Sequence, residues 1–540
     1  MLPIKVSSPA VTRISFFLGA VLASSFVRAE RILLIPLDGR PATGQFAQMI
    51  GRISGVDIQM PPKDLLGRFT QPGDSDAILD WLAKQDFQDV LAVVASTDMI
   101  GYGGLIASRT LETSKAKAVA RLNRFAQIRK VAKATKFYGM SATMRLTPTA
   151  TKSAAAWRLP LGRFAEIKER YRQTKDPKYL QSLKNLLAKI PSEELLKYDQ
   201  IRARNHEIQG FLIRQTAAGL FDYLICGQDD AQPYGPHIPE TAALRNVAVS
   251  SQVSGKVYFA EGVDQLANVL ISRALLRARS WVPRIRLNFS DDLGKLMVAD
   301  YESKTIERSL SDQLLASGSR PANTNEYDFA LFLNTPQRRE EPFLSFLQSL
   351  TSEVDQGFPV AVADINLAKN GTSDPELFDA MNQENRMIRL LSYAGWNTAG
   401  NTMGTVIPAA NVYLLARRGG SDPLQRELAR REFILHRFVN DYCYHKFVRP
   451  LAYQLIDSTP NASREETYGP AFDAVNELVQ TKLREYLEST FQSQFLGQRF
   501  FAGNKQYEID ALQNIKIFLP WPRAYEVQME FSLSASEVTD

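Results

Sequence analysis

Cysteine and histidine are scarce. The 540-residue chain holds two cysteines, Cys226 and Cys443, and four histidines. Two cysteines exclude a disulfide-rich scaffold and any zinc cluster built on thiolates. Four scattered histidines offer few bases for a nucleophilic triad. No G-x-S-x-G, Walker loop or G-x-G-x-x-G occurs, which removes the usual grounds for a serine hydrolase or a nucleotide-phosphate site. Internal repeats and low-complexity tracts are missing as well. No segment beyond the N-terminal one is long and apolar enough to cross a bilayer. Excess charge is small, with 64 Lys and Arg against 58 Asp and Glu.

What is present is an ordinary globular composition, 45% hydrophobic and 23% charged, with length enough for a large core. Lys5 and Arg13 precede the apolar run Ile14–Val27, and Val27-Arg-Ala29 places small residues at the positions a signal peptidase reads. That order predicts a signal peptide over 1–29, export, and a mature chain beginning at Glu30. Cleavage removes Lys5, Arg13 and Arg28 and no acid, so the formal charge falls from +6 to +3. Such a balance gives no support for nucleic-acid binding. After cleavage no stable membrane insertion is expected. In an oxidising compartment Cys226 and Cys443 could pair, although sequence separation says nothing of their distance.

Short apolar runs alternate with helical periodicity. Strands are expected at 31–37, 90–95, 136–140, 223–226 and 255–260, with helices between them, long ones before the fourth strand. Residues 30–280 therefore read as a parallel-sheet α/β domain with helical insertions. Residues 281–425 read as a second α/β region, with strands at 284–288, 327–333 and 359–363. Residues 426–540 read as a mostly helical part with terminal strands. Each strand of the first domain runs into a loop rich in Asp, Arg, Gly or Tyr, and parallel sheets place their sites beyond the carboxyl ends of the strands.

These loops carry Pro36-Leu-Asp-Gly-Arg-Pro41, Asp98 with Tyr102-Gly-Gly-Leu105 and Ser108-Arg109, Arg202-Ala-Arg-Asn205, and Gly227-Gln-Asp-Asp-Ala-Gln-Pro-Tyr-Gly235 with Glu240. Ala394-Gly-Trp-Asn-Thr-Ala-Gly-Asn401 and Leu519-Pro-Trp-Pro-Arg523 near Glu526 follow in order. The ordered set resembles the bacterial domain-of-unknown-function 4127 family over essentially the whole mature chain. One departure is Gly262-Val-Asp-Gln265, where the family pattern is Gly-Ala-Asp-Glu; a catalytic acid at that place would be missing here. The resemblance implies the fold and the site region more than a reaction.

Read as chemistry, the motifs offer acids, guanidinium forks and amides. Asp38 and Arg40 can pair with each other or grip a polar ligand together. Asp98, Tyr102 and Arg109 sit in a glycine-rich loop. Asp229 and Asp230 are adjacent, so in extended backbone only one faces a site. His237 and Glu240 have H-x-x-E spacing, but Pro236 and Pro239 argue against a regular helix there. Arg145, Asn205, Tyr234, Asp264 and Asp364 complete the polar strand-end set. Trp396, Asn397 and Asn401, in a glycine-rich loop, suit a sugar: a ring for C–H faces and amides for hydroxyls.

The first reading is an exported hydrolase of a carbohydrate or cell-envelope glycan, with Asp98 and Asp230 as the acid/base pair and the other residues named above as substrate-binding groups. It calls for no cofactor and no metal, and its partner is a small-molecule or glycan substrate. Two alternatives stay open: a metal-assisted amide or ester hydrolase using Asp230, His237 and a distant Asp, and a non-catalytic carbohydrate-binding protein.

Overall fold

The computed structural model describes residues 30–324, 326–368 and 371–539. The expected signal peptide lies outside the described residues. Six parallel strands form the first sheet: β1 (Arg31–Ile35), β2 (Asp57–Gln59), β3 (Val90–Ser96), β4 (Lys136–Thr143), β5 (Tyr223–Gln228) and β6 (Val257–Glu261). Their order is β2-β1-β3-β4-β5-β6. β3 reads Val-Leu-Ala-Val-Val-Ala-Ser and is buried except at Leu91, because helices cover both faces of the sheet.

A second parallel sheet has the order β11-β10-β9-β7-β8. Its strands are β7 (Arg284–Phe289), β8 (Arg320–Pro321), β9 (Phe329–Asn334), β10 (Val360–Asp364) and β11 (Ser392–Ala394). The fold is thus α/β with two parallel sheets and a helical C-terminal part. That part closes with an antiparallel sheet of β12 (Arg499–Ala502), β13 (Lys505–Phe518) and β14 (Gln528–Glu537).

One apolar core joins the two parallel sheets. Leu34 and Val94 of the first sheet, Leu331 and Ala361 of the second, and Leu270, Val406 and Phe433 from helices between them belong to it. Separate cores cover the far face of each sheet. The two sheets are therefore fixed by shared burial.

Several elements differ from the sequence reading. The glycine-rich loop expected around Trp396, Asn397 and Asn401 is a short turn after β11 followed by a helix over Ala399–Arg417, whose N-cap Thr398 accepts from Asn401 N–H. This helix is buried nearly all round, so it has no polar face to reveal its period. It also holds Pro408, worth about 3 kcal/mol against a helix interior. Val406, Ile407 and Val412 are fully buried; each contributes about 1.5–3 kcal/mol, and together they outweigh the proline. Pro236 and Pro239 do not prevent a helix either. Pro236 is the N-cap of His237–Ser250, and Pro239 sits in the first turn, where amide groups lack intrahelical acceptors. Both cysteines are buried and unpaired, Cys226 on β5 and Cys443 in a helix.

Candidate functional site

The carboxyl ends of both parallel sheets open on one cavity of about 630 Å³. From the first sheet, Arg40 follows β1, Arg109 follows β3, Arg145 follows β4, Asp229 and Asp230 follow β5, and Asp264 follows β6. From the second sheet come Ala299 and Tyr301 after β7, Gln337 after β9, Leu367 after β10, and Asn397 after β11. Trp521, Arg523 and Tyr525, on the connection between β13 and β14, complete the wall. Convergence follows from topology: in a parallel sheet every strand delivers its exit loop to the same edge.

The wall is an alternation of acids and guanidinium groups. Arg40 Nη1 and Nη2 donate to Asp264 at 2.9 and 2.7 Å, and Nη2 also donates to Asp38 at 2.7 Å. Its ring neighbour is Trp521, with the guanidinium 5.2 Å from the centroid. Burial opposes the Arg40 charge, but Asp264 and Asp38 more than offset it and hold its pKa well above the usual range. Arg109 pairs with Asp229, and Arg145 pairs with Asp230. Burial raises the Asp230 carboxyl, with Asp229 and Asp264 adding to the push and Arg145 opposing it. Both aspartates at the end of β5 line the cavity; the strand stops at Gln228, so the alternation expected of extended backbone does not apply to them.

Second-layer contacts hold this wall. Glu240 accepts from Arg202 at 2.9 and 2.5 Å, and Arg202 Nη1 donates to the carbonyls of Met144 and Arg145, each at 3.0 Å. The pair thereby fixes the loop that presents Arg145. Asn205 donates to Ser108 O at 2.9 Å and accepts from Arg204, which holds the loop before Arg109. Tyr102 lies under Arg204, 4.5 Å from ring centroid to guanidinium. Arg170 covers Tyr234 at 4.5 Å.

Asp98 is placed differently from expectation. It lies in the short helix Thr97–Tyr102, capped by Ser96, is 3% exposed, and is not among the wall residues. Its Oδ2 accepts from Ala142 N–H at 2.8 Å. Burial pushes its pKa up to about 7. Trp396 is likewise a core residue: its ring meets Phe46 edge-on at 5.4 Å and its Nε1 donates to Thr405 at 3.2 Å, so it presents no face to a sugar. Asn401 is buried and donates to Gln265 at 2.7 Å. Asp364 is fully buried at the end of β10, where it accepts from Asn334 at 3.0 Å. His237 is buried, and burial lowers its pKa to about 4; neither it nor Glu240 lines the cavity. Asn397 does line it, and Tyr525 donates to its Oδ1 at 2.8 Å.

Gln265, the departure from the family pattern, is fully buried away from the wall. Its Nε2 donates to Glu261 O at 2.8 Å while its Oε1 takes the Asn401 amide. An ionised Glu could not make the first of these bonds. Among the described residues no three His, Cys, Asp or Glu side chains are grouped as a metal site would require.

The sequence reading missed Arg158, Arg464, Glu465 and Tyr301 on the wall. None follows a strand of the first sheet directly, so the rule that found the others could not reach them. A second cavity of about 660 Å³ lies between the β1 exit loop and the β13–β14 hairpin, and Arg40 lines both.

A family model described as "Protein of unknown function (DUF4127)" matches residues 32–530. The chain belongs to the DUF4127 family. No curated protein matches it. Among solved structures, a pyruvate carboxylase from Rhizobium etli with the allosteric activator acetyl coenzyme-A is similar at 9% identity and a TM-score of 0.18, covering 95% of this chain and 47% of that one. This DUF4127 chain thus spans about half the length of that enzyme. The carboxyl transferase domain of the same enzyme, solved with pyruvate, is similar at 9% identity and a TM-score of 0.18, covering 95% of this chain and 88% of that one. At these TM-scores the likeness carries no argument about function. Among the described residues no helix is long and apolar enough to cross a membrane.

Proposed function

We propose that this DUF4127 protein is an exported hydrolase that cleaves a carbohydrate or cell-envelope glycan by carboxylate acid/base chemistry in the cavity between the two sheets. The observation that carries this reading is the placement of Asp230 with Asp229 and Asp264 on one cavity wall, at the carboxyl ends of adjacent strands. Glycoside hydrolysis needs one carboxyl that keeps its proton and one that is ionised. Asp230, raised by burial, has the character of the acid that protonates the leaving oxygen. Asp264, held by both terminal nitrogens of Arg40, is the partner that activates water or attacks the anomeric carbon. This replaces Asp98 in the expected pair, since Asp98 does not line the cavity.

Trp521 and Tyr525 supply ring surface and Asn397 an amide, the groups that Trp396 and Asn401 were expected to provide. Release of new reducing ends from a panel of chromogenic glycosides and cell-wall fragments tests the reading. Turnover unaffected by a chelator supports it, whereas turnover that vanishes with a chelator and returns with a divalent cation favours the metal-assisted route.

One observation favours a second reading, a non-catalytic binding protein. Asp229, Asp230 and Asp264 each already hold an arginine, an arrangement suited to a rigid recognition surface. Tight binding of a glycan without cleavage of it or of any other panel member would select that reading.

A further inference from the structure

On the cavity wall Arg40, Arg109 and Arg145 each hold an aspartate in a salt bridge, and Arg523 holds Glu526 at 3.0 Å. Arg158 differs. It lines the same cavity, is partly buried, and forms no salt bridge or side-chain hydrogen bond among the described residues. Glu465 acts on it only at longer range, while the nearby charge of Arg145 works against it. An arginine that is partly dehydrated, next to a like charge and without a bound acid, is in an unfavourable setting unless a ligand supplies the anion.

The wall is also over-supplied with donors. Arg109 Nε, Arg145 Nε and Trp521 Nε1 are buried without an acceptor. A neutral sugar brings a hydroxyl donor with every acceptor it offers, whereas a carboxylate, phosphate or sulfate brings acceptors alone. From Arg158 and this donor excess we infer that the cavity binds an acidic saccharide, whose anionic substituent docks on the Arg158 guanidinium. The inference deepens the proposed function and rests on the cavity being its substrate site.

The planar fork of Arg158 suits two oxygens of one anion, so a lysine at this position keeps the charge and loses the paired geometry. The shared chemistry is an oxyanion on a sugar ring, and three sources can carry it.

Isothermal titration of the full-length mature protein with glucuronate, glucose 6-phosphate, glucose 6-sulfate and uncharged glucose separates them. At least one anionic probe is expected to bind about tenfold or more tighter than glucose, and the probe that does so names the anion. In R158Q that preference should fall to near parity, with R158K intermediate, at unchanged thermal stability. Equal affinity for all four probes, binding of none of them, or an undiminished preference in R158Q would overturn the inference. The variant D230N separates this inference from the function it rests on. Retained anion preference with lost turnover supports both, whereas retained preference with full turnover leaves the anion site standing and removes the catalytic assignment.

Discussion

Asp98 and Asp230 each stand just after a buried strand of the same sheet, and from sequence the two are equivalent. Their surroundings separate them. Asp98 turns into a short helix and is held by Ala142 N–H behind the wall, while Asp230 reaches the cavity and meets Arg145. Strand patterns reveal which residues lie at the carboxyl edge; they do not reveal which way a side chain leaves it. For the same reason Arg40, Arg145 and Asp264 were legible as strand-end residues and do line the cavity, while Asp364, at an equally good strand end, is core. Glu240 was expected among the substrate-binding groups; it holds Arg202 instead and does not line the cavity. The variant E240Q leaves that buried guanidinium with a neutral partner, and chemical denaturation should show a loss of about 2 kcal/mol.

At the scale of elements, the alternating strands and helices of residues 30–280 were readable because buried parallel strands are short and apolar while the helices between them are amphipathic. The helix Ala399–Arg417 was not, because burial on every side erases its periodicity. The terminal strands expected in the C-terminal part are β12, β13 and β14, and in β14 Met529, Phe531 and Leu533 point inward in alternation with Glu530, Ser532 and Ser534. The buried helix makes its own prediction. A Cβ at Gly404 would stand 2.2 Å from Gln265 Cγ, and Gln265 is locked by its two hydrogen bonds. G404A should therefore destabilise the protein by about 1–3 kcal/mol through overpacking, against the stabilisation that Gly→Ala ordinarily gives inside a helix. A differential-scanning measurement showing an unchanged or raised Tm would contradict this packing.

The whole molecule packs two parallel sheets on one shared core so that their strand ends open on one cavity, and it buries several carboxyl groups in doing so. Burial pushes Asp98 up to about 7 and Asp364 up to about 8. In the unfolded chain these groups titrate near about 3.9. Between the two values the native state holds protons that the unfolded state has released, so stability falls as pH rises across that window. Thermal melts should show Tm declining from pH 5 to pH 8, and the double variant D98N/D364N should flatten the decline. A Tm that rises over this range would mean that these carboxyls are ionised in the folded protein. In the proposed reaction, acid/base work in the shared cavity belongs to Asp230 and not to Asp98. Once a substrate has been found in the glycan panel, comparing the turnover of D230N and D98N at matched folding tests it most directly. D230N should lose turnover by a factor on the order of 10² or more, with D98N keeping most of its turnover. Full turnover in D230N, or an equal loss in D98N, would contradict it.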